Sequence, residues 1–287
     1  MRAFAYVMPL LLTTAGLAAA GPASGTVKSQ TGTIAPKHAI AYVVRDGRNA
    51  RLTRVEVLLT DVPIDPATLR GDLDPHATAI NLDELRDRNY LLLWVAPDGA
   101  VTMNATYSKT MTQYVNDASG GLEGEFTANT ATAIAGRVYS AAPMKTMDGP
   151  PYTIDVTFTA EVVPALTGTA LPAGGGEPGK ALTAFMGALV KKNWPGLKAG
   201  LAPRVLPSFE KDYNTPAENA ASAVDILNAW LPTAKFKVTG GVLVNDTTAV
   251  LEMEGERFGS RVLSFVKMVK TGAVWQFDES ASAGSLR

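Results

Sequence analysis

The chain has 287 residues, no cysteine, two histidines (His38 and His76) and a formal net charge of −1. Without cysteine it has no disulfide framework, thiolate nucleophile, Cys-based zinc site or iron–sulfur cluster, and near-neutral charge is not the footprint of a nucleic-acid binder. Its hydrophobic content of 46% and charged content of 18% suit a globular chain long enough for two cores.

Residues 1–20 (MRAFAYVMPLLLTTAGLAAA) carry one Arg, then an uncharged apolar run, then Ala18-Ala19-Ala20 before Gly21. That pattern predicts a cleaved secretory signal. The apolar core from Phe4 to Leu17 is short of the roughly 20 residues that span a bilayer. A lipid anchor needs a cysteine. The expectation is a periplasmic or secreted protein with no membrane span in its mature chain.

From residue 24 to 163, short candidate strands recur between turn signals. Ala39–Arg45 and Arg54–Thr60 flank Asp46-Gly47-Arg48-Asn49, a hairpin turn by composition. Tyr90–Val95, Ala100–Tyr107, Gly124–Thr127, Ala133–Ser140 and Tyr152–Val162 complete the set, and only Leu82–Arg88 reads as briefly helical. In the last strand Ile154, Val156 and Phe158 alternate with polar residues, so one face is buried and one wet. The predicted fold is an all-β antiparallel sandwich, with an open barrel as the alternative. His38 reads as a half-buried or surface residue. His76, in Gly71–Thr78 (GDLDPHAT), reads as part of a solvated loop, because the calcium-loop spacing and its closing Glu are missing. A glycan-binding sandwich exposes neighbouring aromatics, and Tyr42, Trp94, Tyr107, Tyr114 and Tyr139 are too scattered to decide for or against one.

Residues 164–178 are rich in Pro and Gly and have no apolar periodicity, so they read as a linker without helix or strand. Gly174–Ala181 nearly spells a phosphate-binding loop, but Ala181 stands where a hydroxyl must hold Mg²⁺.

The last stretch, 179–283, opens with helical spacing over Lys180–Asn193, which places Leu182, Phe185, Met186, Leu189 and Val190 on one face. Thr215-Pro216-Ala217-Glu218 supplies an N-cap, a proline at N1 and a capping-box Glu, opening a helix toward Leu231. Four strands follow: Lys235–Val244, Thr247–Glu254, Arg261–Lys270 and Ala273–Glu279. Helices first, then a meander of long antiparallel strands closing on Ser264–Ser280 (SFVKMVKTGAVWQFDES), resembles the NTF2-like (cone-shaped α+β) superfamily and its small secreted bacterial members.

That resemblance implies a curved sheet whose mouth is either a pocket for a small apolar ligand or a filled core. Phe185, Trp230, Phe265 and Trp275 are the candidate ligand-binding residues; large apolar side chains between helix and sheet are more often plain core. Glu252 and Glu254 share one strand face, opposite Leu251 and Met253, so alternation sends the apolar pair to the core and the glutamates to the wet side. Asp278 and Glu279 are the reserve acid–base candidates. With no catalytic residue, metal or cofactor implied, the expectation is a non-enzymatic binding or interaction protein of the cell envelope whose partner is a protein or a small apolar ligand. A carrier or acid–base enzyme using the cone, and a sandwich that binds a glycan or surface protein, are the alternatives.

Overall fold

The computed structural model describes residues 20–30, 32–46, 49–86, 88–107, 114–116, 121–144, 150–210, 216–228 and 231–285. Ten strands form one sheet and five form another. The first sheet contains β1 (Gly21–Ser29), β2 (Gly32–Ile34), β3 (His38–Asp46), β4 (Asn49–Thr60), β5 (Tyr90–Val95), β6 (Val101–Tyr107), β7 (Tyr114–Asn116), β8 (Leu122–Asn129), β9 (Ala133–Ser140) and β10 (Tyr152–Val163). Its order is β7-β6-β5-β4-β3-β1-β10-β9-β8, with β2 on β1. Pairing is antiparallel throughout except where the end of β10 runs parallel to β3, with Val162 opposite Ala41.

The predicted strands are all present. Strands β1, β2 and β7 were not expected, because their short or Gly-, Ser- and Thr-rich segments give no period-two apolar signal.

This sheet curls. Near the corner β1 pairs with β3 at Gly21–Pro22 and with β10 from Ala23 onward, so the two halves turn their inner faces toward each other. Between them lies one core that includes Ala39, Val57, Leu91, Leu93, Ile134, Val156 and Phe158. The curl brings β8 to the β5–β6 turn, where the Asn129 amide donates to the Ala96 carbonyl at 3.2 Å.

The outer face of β3–β4–β5 is buried as well. The excursion between β4 and β5 lies over it, carrying a 3-10 turn (Pro66–Leu69), helix α1 (Pro75–Ile80) and a second 3-10 turn (Asp83–Leu85). Ile40, Tyr42, Leu58, Leu69, Ala79 and Leu92 form that second core. Burying each large apolar side chain is worth about 1.5–3 kcal/mol, so the excursion is held by packing rather than by its few backbone bonds.

The segment expected to be a structureless linker is ordered in part. Thr169–Leu171 forms β11, paired with Leu243–Gly241, and helix α2 (Gly176–Val190) begins inside it. Gly174, Gly175 and Gly176, at φ 83°, 73° and 61°, let the chain turn between them. Strand and helix here are set by tertiary pairing, which propensity does not reveal.

Helices α3 (Trp194–Gly200), α4 (Leu206–Glu210) and α5 (Pro216–Asn228) follow, then β12 (Ala234–Asn245), β13 (Thr248–Arg257), β14 (Ser260–Thr271) and β15 (Val274–Ser285). The second sheet runs β11-β12-β13-β14-β15, all antiparallel. Proline opens α5 as expected; Thr215 lies outside the described residues. The helices cover one face, burying Leu182, Phe185, Leu227, Leu251, Met253 and Met268. Val190, expected on the apolar stripe of α2, is 56% exposed at the helix end. Among the described residues no helix is long and apolar enough to cross a membrane.

Candidate binding site at the junction of the two sheets

The other face of the second sheet meets the first sheet's excursion. Val250, Leu263 and Phe265 are buried there with Leu73 and Leu166. Leu73 comes from the excursion, Leu166 from the connecting segment.

At this junction the first sheet presents a polar row. Tyr42 on β3 is the register partner of Glu56 on β4, and Glu56 that of Trp94 on β5. Three neighbouring strands therefore aim one side chain each at the same place. Glu56 is 1% exposed. Its Oε1 accepts from the Tyr42 hydroxyl, and its Oε2 accepts from the Trp94 indole N–H at 2.6 Å. Such a carboxylate is tolerable inside a sheet because charged hydrogen bonds replace its water.

Helix α1 brings the fourth member. Asp74 caps it, its Oδ1 accepting from the Ala77 N–H at 3.0 Å, and Pro75 occupies the first turn. This sets His76 Nδ1 2.7 Å from Glu56 Oε1. A carboxylate already accepting two donors serves as acceptor for a third, so Nδ1 carries the proton. The hydrogen bond to Glu56, strengthened by that carboxylate's charge, raises the His76 pKa above its ordinary 6.5 despite partial burial. Burial, followed by the charge of Glu56, holds the Tyr42 phenol well above its usual range. The solvated-loop reading of residues 71–78 is thus corrected: they form a capped helical turn that seats His76 on a buried carboxylate.

The row opens onto a cavity of about 210 Å³. Glu56, His76, Trp94 and Arg54 line one side, with Leu166, Val250 and Phe265 on the other. Two guanidiniums sit over aromatic rings: Arg54 over Trp94 at 3.3 Å and Arg45 over Phe265 at 3.7 Å from the ring centroid. Burial lowers the Arg45 pKa, and Glu252, across the junction, partly restores it.

Beside the cavity the two sheets are pinned by charge. Glu279 on β15 accepts from the backbone N–H groups of Leu73 and Asp74 at 3.2 and 3.3 Å. Lys267 donates to the Gly71 carbonyl at 2.8 Å. Within the second part, Arg204 pairs with the buried Asp278 next to Glu279. Burial, then the proximity of Asp72, pushes Glu279 up to about 7.

The four candidate ligand-binding residues do not meet. Phe185 stacks on Phe277 at 4.9 Å in the helix-covered core, and Trp275 packs against that same core. Phe265 faces the opposite way, into the junction. Trp230 lies outside the described residues. Leu251 and Met253 are buried under the helices, as alternation requires. The face carrying Glu252 is half-buried rather than wet, since the first sheet covers part of it. Two members of the site, Tyr42 and Trp94, were among the scattered aromatics. Glu56 carries a weaker signal in the sequence: a lone acid between Val55 and Val57 on a strand of apolar neighbours is the kind of residue that needs partners.

Among the described residues no group of three or more His, Asp or Glu side chains is placed to hold a metal ion. No protein-family model matches the chain, and no curated protein matches it.

Proposed function

We propose that this is an exported, non-enzymatic binding protein that holds a small molecule where its two sheets meet, its first part a β-sandwich domain and its last part an NTF2-like α+β domain. One observation carries the reading: a cavity of about 210 Å³ between the sheets, lined by Arg54, Glu56 and Trp94 of the first sheet, His76 of its excursion, and Val250 and Phe265 of the second sheet. Small-molecule sites favour such boundaries, with a few fixed polar groups on an otherwise apolar lining. The polar wall is preorganised, since Glu56 is locked by Tyr42, Trp94 and His76 before any ligand arrives.

A second reading, acid–base catalysis, draws on one feature only. His76 donates through Nδ1 to a buried carboxylate, the arrangement that orients an imidazole for proton transfer at its other nitrogen.

Mass spectrometry of the purified protein under native conditions, with crystal density at the junction, tests the binding reading. A co-purified small molecule between Phe265 and Glu56 is the expected result. A ligand seated instead among Phe185 and Trp275, under the helices, would replace the junction by the cone.

A further inference from the structure

The geometry points to a small organic monocarboxylate as the ligand of the junction cavity, its carboxylate on the Arg45 guanidinium and its apolar body against Leu166, Val250 and Phe265. This rests on the reading of the cavity as a binding site. The Arg45 guanidinium carbon sits over the Phe265 ring, 3.7 Å from its centroid, and a guanidinium held on a ring face in this way can still offer its N–H edge to an in-plane acceptor. Among the described residues no carboxylate forms an ion pair with Arg45; Glu252 acts on it through space. Arg45 is exposed where it lines the cavity, so an incoming anion can reach its guanidinium.

The remaining charges of the wall are engaged within the protein. Arg54 sits over the Trp94 ring, His76 sits on Glu56, Asp74 caps α1, and Asp72 hydrogen-bonds to Glu279. Three carboxylates already line the cavity, Glu56, Asp72 and Asp74. A second negative charge on the ligand would meet them at short range in a low-dielectric site. This favours a monoanion over a phosphate ester or a diacid. The planar fork of Arg45 matches the two oxygens of a carboxylate. The cavity, about 210 Å³, is small for a ligand site and limits the ligand to a handful of carbon atoms beside its carboxylate. That is the scale of benzoate or hexanoate.

The test uses the purified full chain and two matched pairs of probes: benzoate with benzamide, and hexanoate with hexanamide. Titrations are followed by the indole N–H resonance of Trp94, assigned with Trp94→Phe. The expected result is that at least one acid shifts the Trp94 signal and binds at least tenfold more tightly than its amide. Arg45→Gln should weaken that acid at least tenfold and leave the amide unchanged. Equal affinity of acid and amide overturns the carboxylate inference while leaving the cavity as a binding site. Inorganic phosphate binding more tightly than either acid overturns the monoanion. If none of the probes moves Trp94, and the native protein carries a ligand elsewhere, both readings fall.

Discussion

Glu279 and Asp72 meet carboxyl to carboxyl across the junction of the two sheets. Glu279, pushed up to about 7 by burial and then by Asp72, donates to its neighbour. Burial also disfavours the charge of Asp72, yet the hydrogen bonds from Glu279, Thr78 and the Asp74 backbone bring its pKa below the usual 3.8. Lys267, Arg204, Asp278 and Asp74 are the other charged groups around the pair. The folded state therefore holds the Glu279 proton more tightly than the unfolded chain does. The stability this adds is complete below about 4.5, the ordinary value, and is lost as pH rises through about 7. Asp72 acts in the opposite sense, and its contribution is lost only as pH falls below 3.8. Urea unfolding at pH 5 and pH 8 should show the protein more stable at pH 5. Glu279→Gln, which keeps both an acceptor for the backbone and a donor for Asp72, should flatten that slope and gain roughly 1–3 kcal/mol at pH 8. An unchanged slope in the variant would show that another group carries the dependence.

Glu56 is the keystone of the polar row. Glu56→Ala removes the shared acceptor of Tyr42, Trp94 and His76 from a position only 1% exposed. Its expected cost is about 3–5 kcal/mol, the range for breaking a buried charged pair from one side. His76 is 36% exposed, so His76→Ala should cost only about 1 kcal/mol. That smaller cost has its own pH signature. The His76 pKa is raised on folding, so its contribution is full below 6.5 and fades as pH rises through the folded value. Chemical denaturation at pH 5.5 and 8.5 reads both effects; a Glu56→Ala variant as stable as wild type would contradict the burial.

Gly179→Ala reverses the usual helix rule. In an exposed helix interior the change stabilises by about 1 kcal/mol. Here the added Cβ would lie 1.8 Å from the Gly174 carbonyl oxygen, a backbone atom with little freedom to retreat. A loss of roughly 1–3 kcal/mol is expected, measured as a drop in Tm. A gain in Tm would mean that the Gly174–Gly179 turn relaxes freely, as a linker should.

Export is tested at the N-terminus. Cleavage after Ala20 should leave a mature chain that begins at Gly21, the first residue of β1, with Ser24 as the second choice. Edman sequencing of protein recovered from the native host decides; a chain still starting at Met1 would rule out processing.

How much of this was legible beforehand varies with the kind of signal. Long strands with apolar alternation, such as Tyr152–Val163, were readable because one face is buried and the other wet. Thr169–Leu171 was unreadable, because three residues gain strand character only by pairing with Gly241–Leu243. Residues 71–78 carried their helix signal in Asp74-Pro75, a cap followed by an N1 proline, yet their polar composition favoured a loop. The site itself is a product of register. Tyr42, Glu56 and Trp94 are far apart along the chain and become neighbours only when β3, β4 and β5 align. Which aromatic meets which acid is set by strand order, and one sequence does not state strand order.

The place of β1 has a kinetic consequence. Its partner through most of its length is β10, with Ala23 opposite Phe158, so the earliest strand off the ribosome waits for one of the last in the first sheet. Pairings this distant along the chain slow folding, because the loop must close before its contacts reward it. Until β10 has been made, β1 has only the three-residue β2 and the start of β3 to pair with, so its long ladder is the last in the first sheet to close.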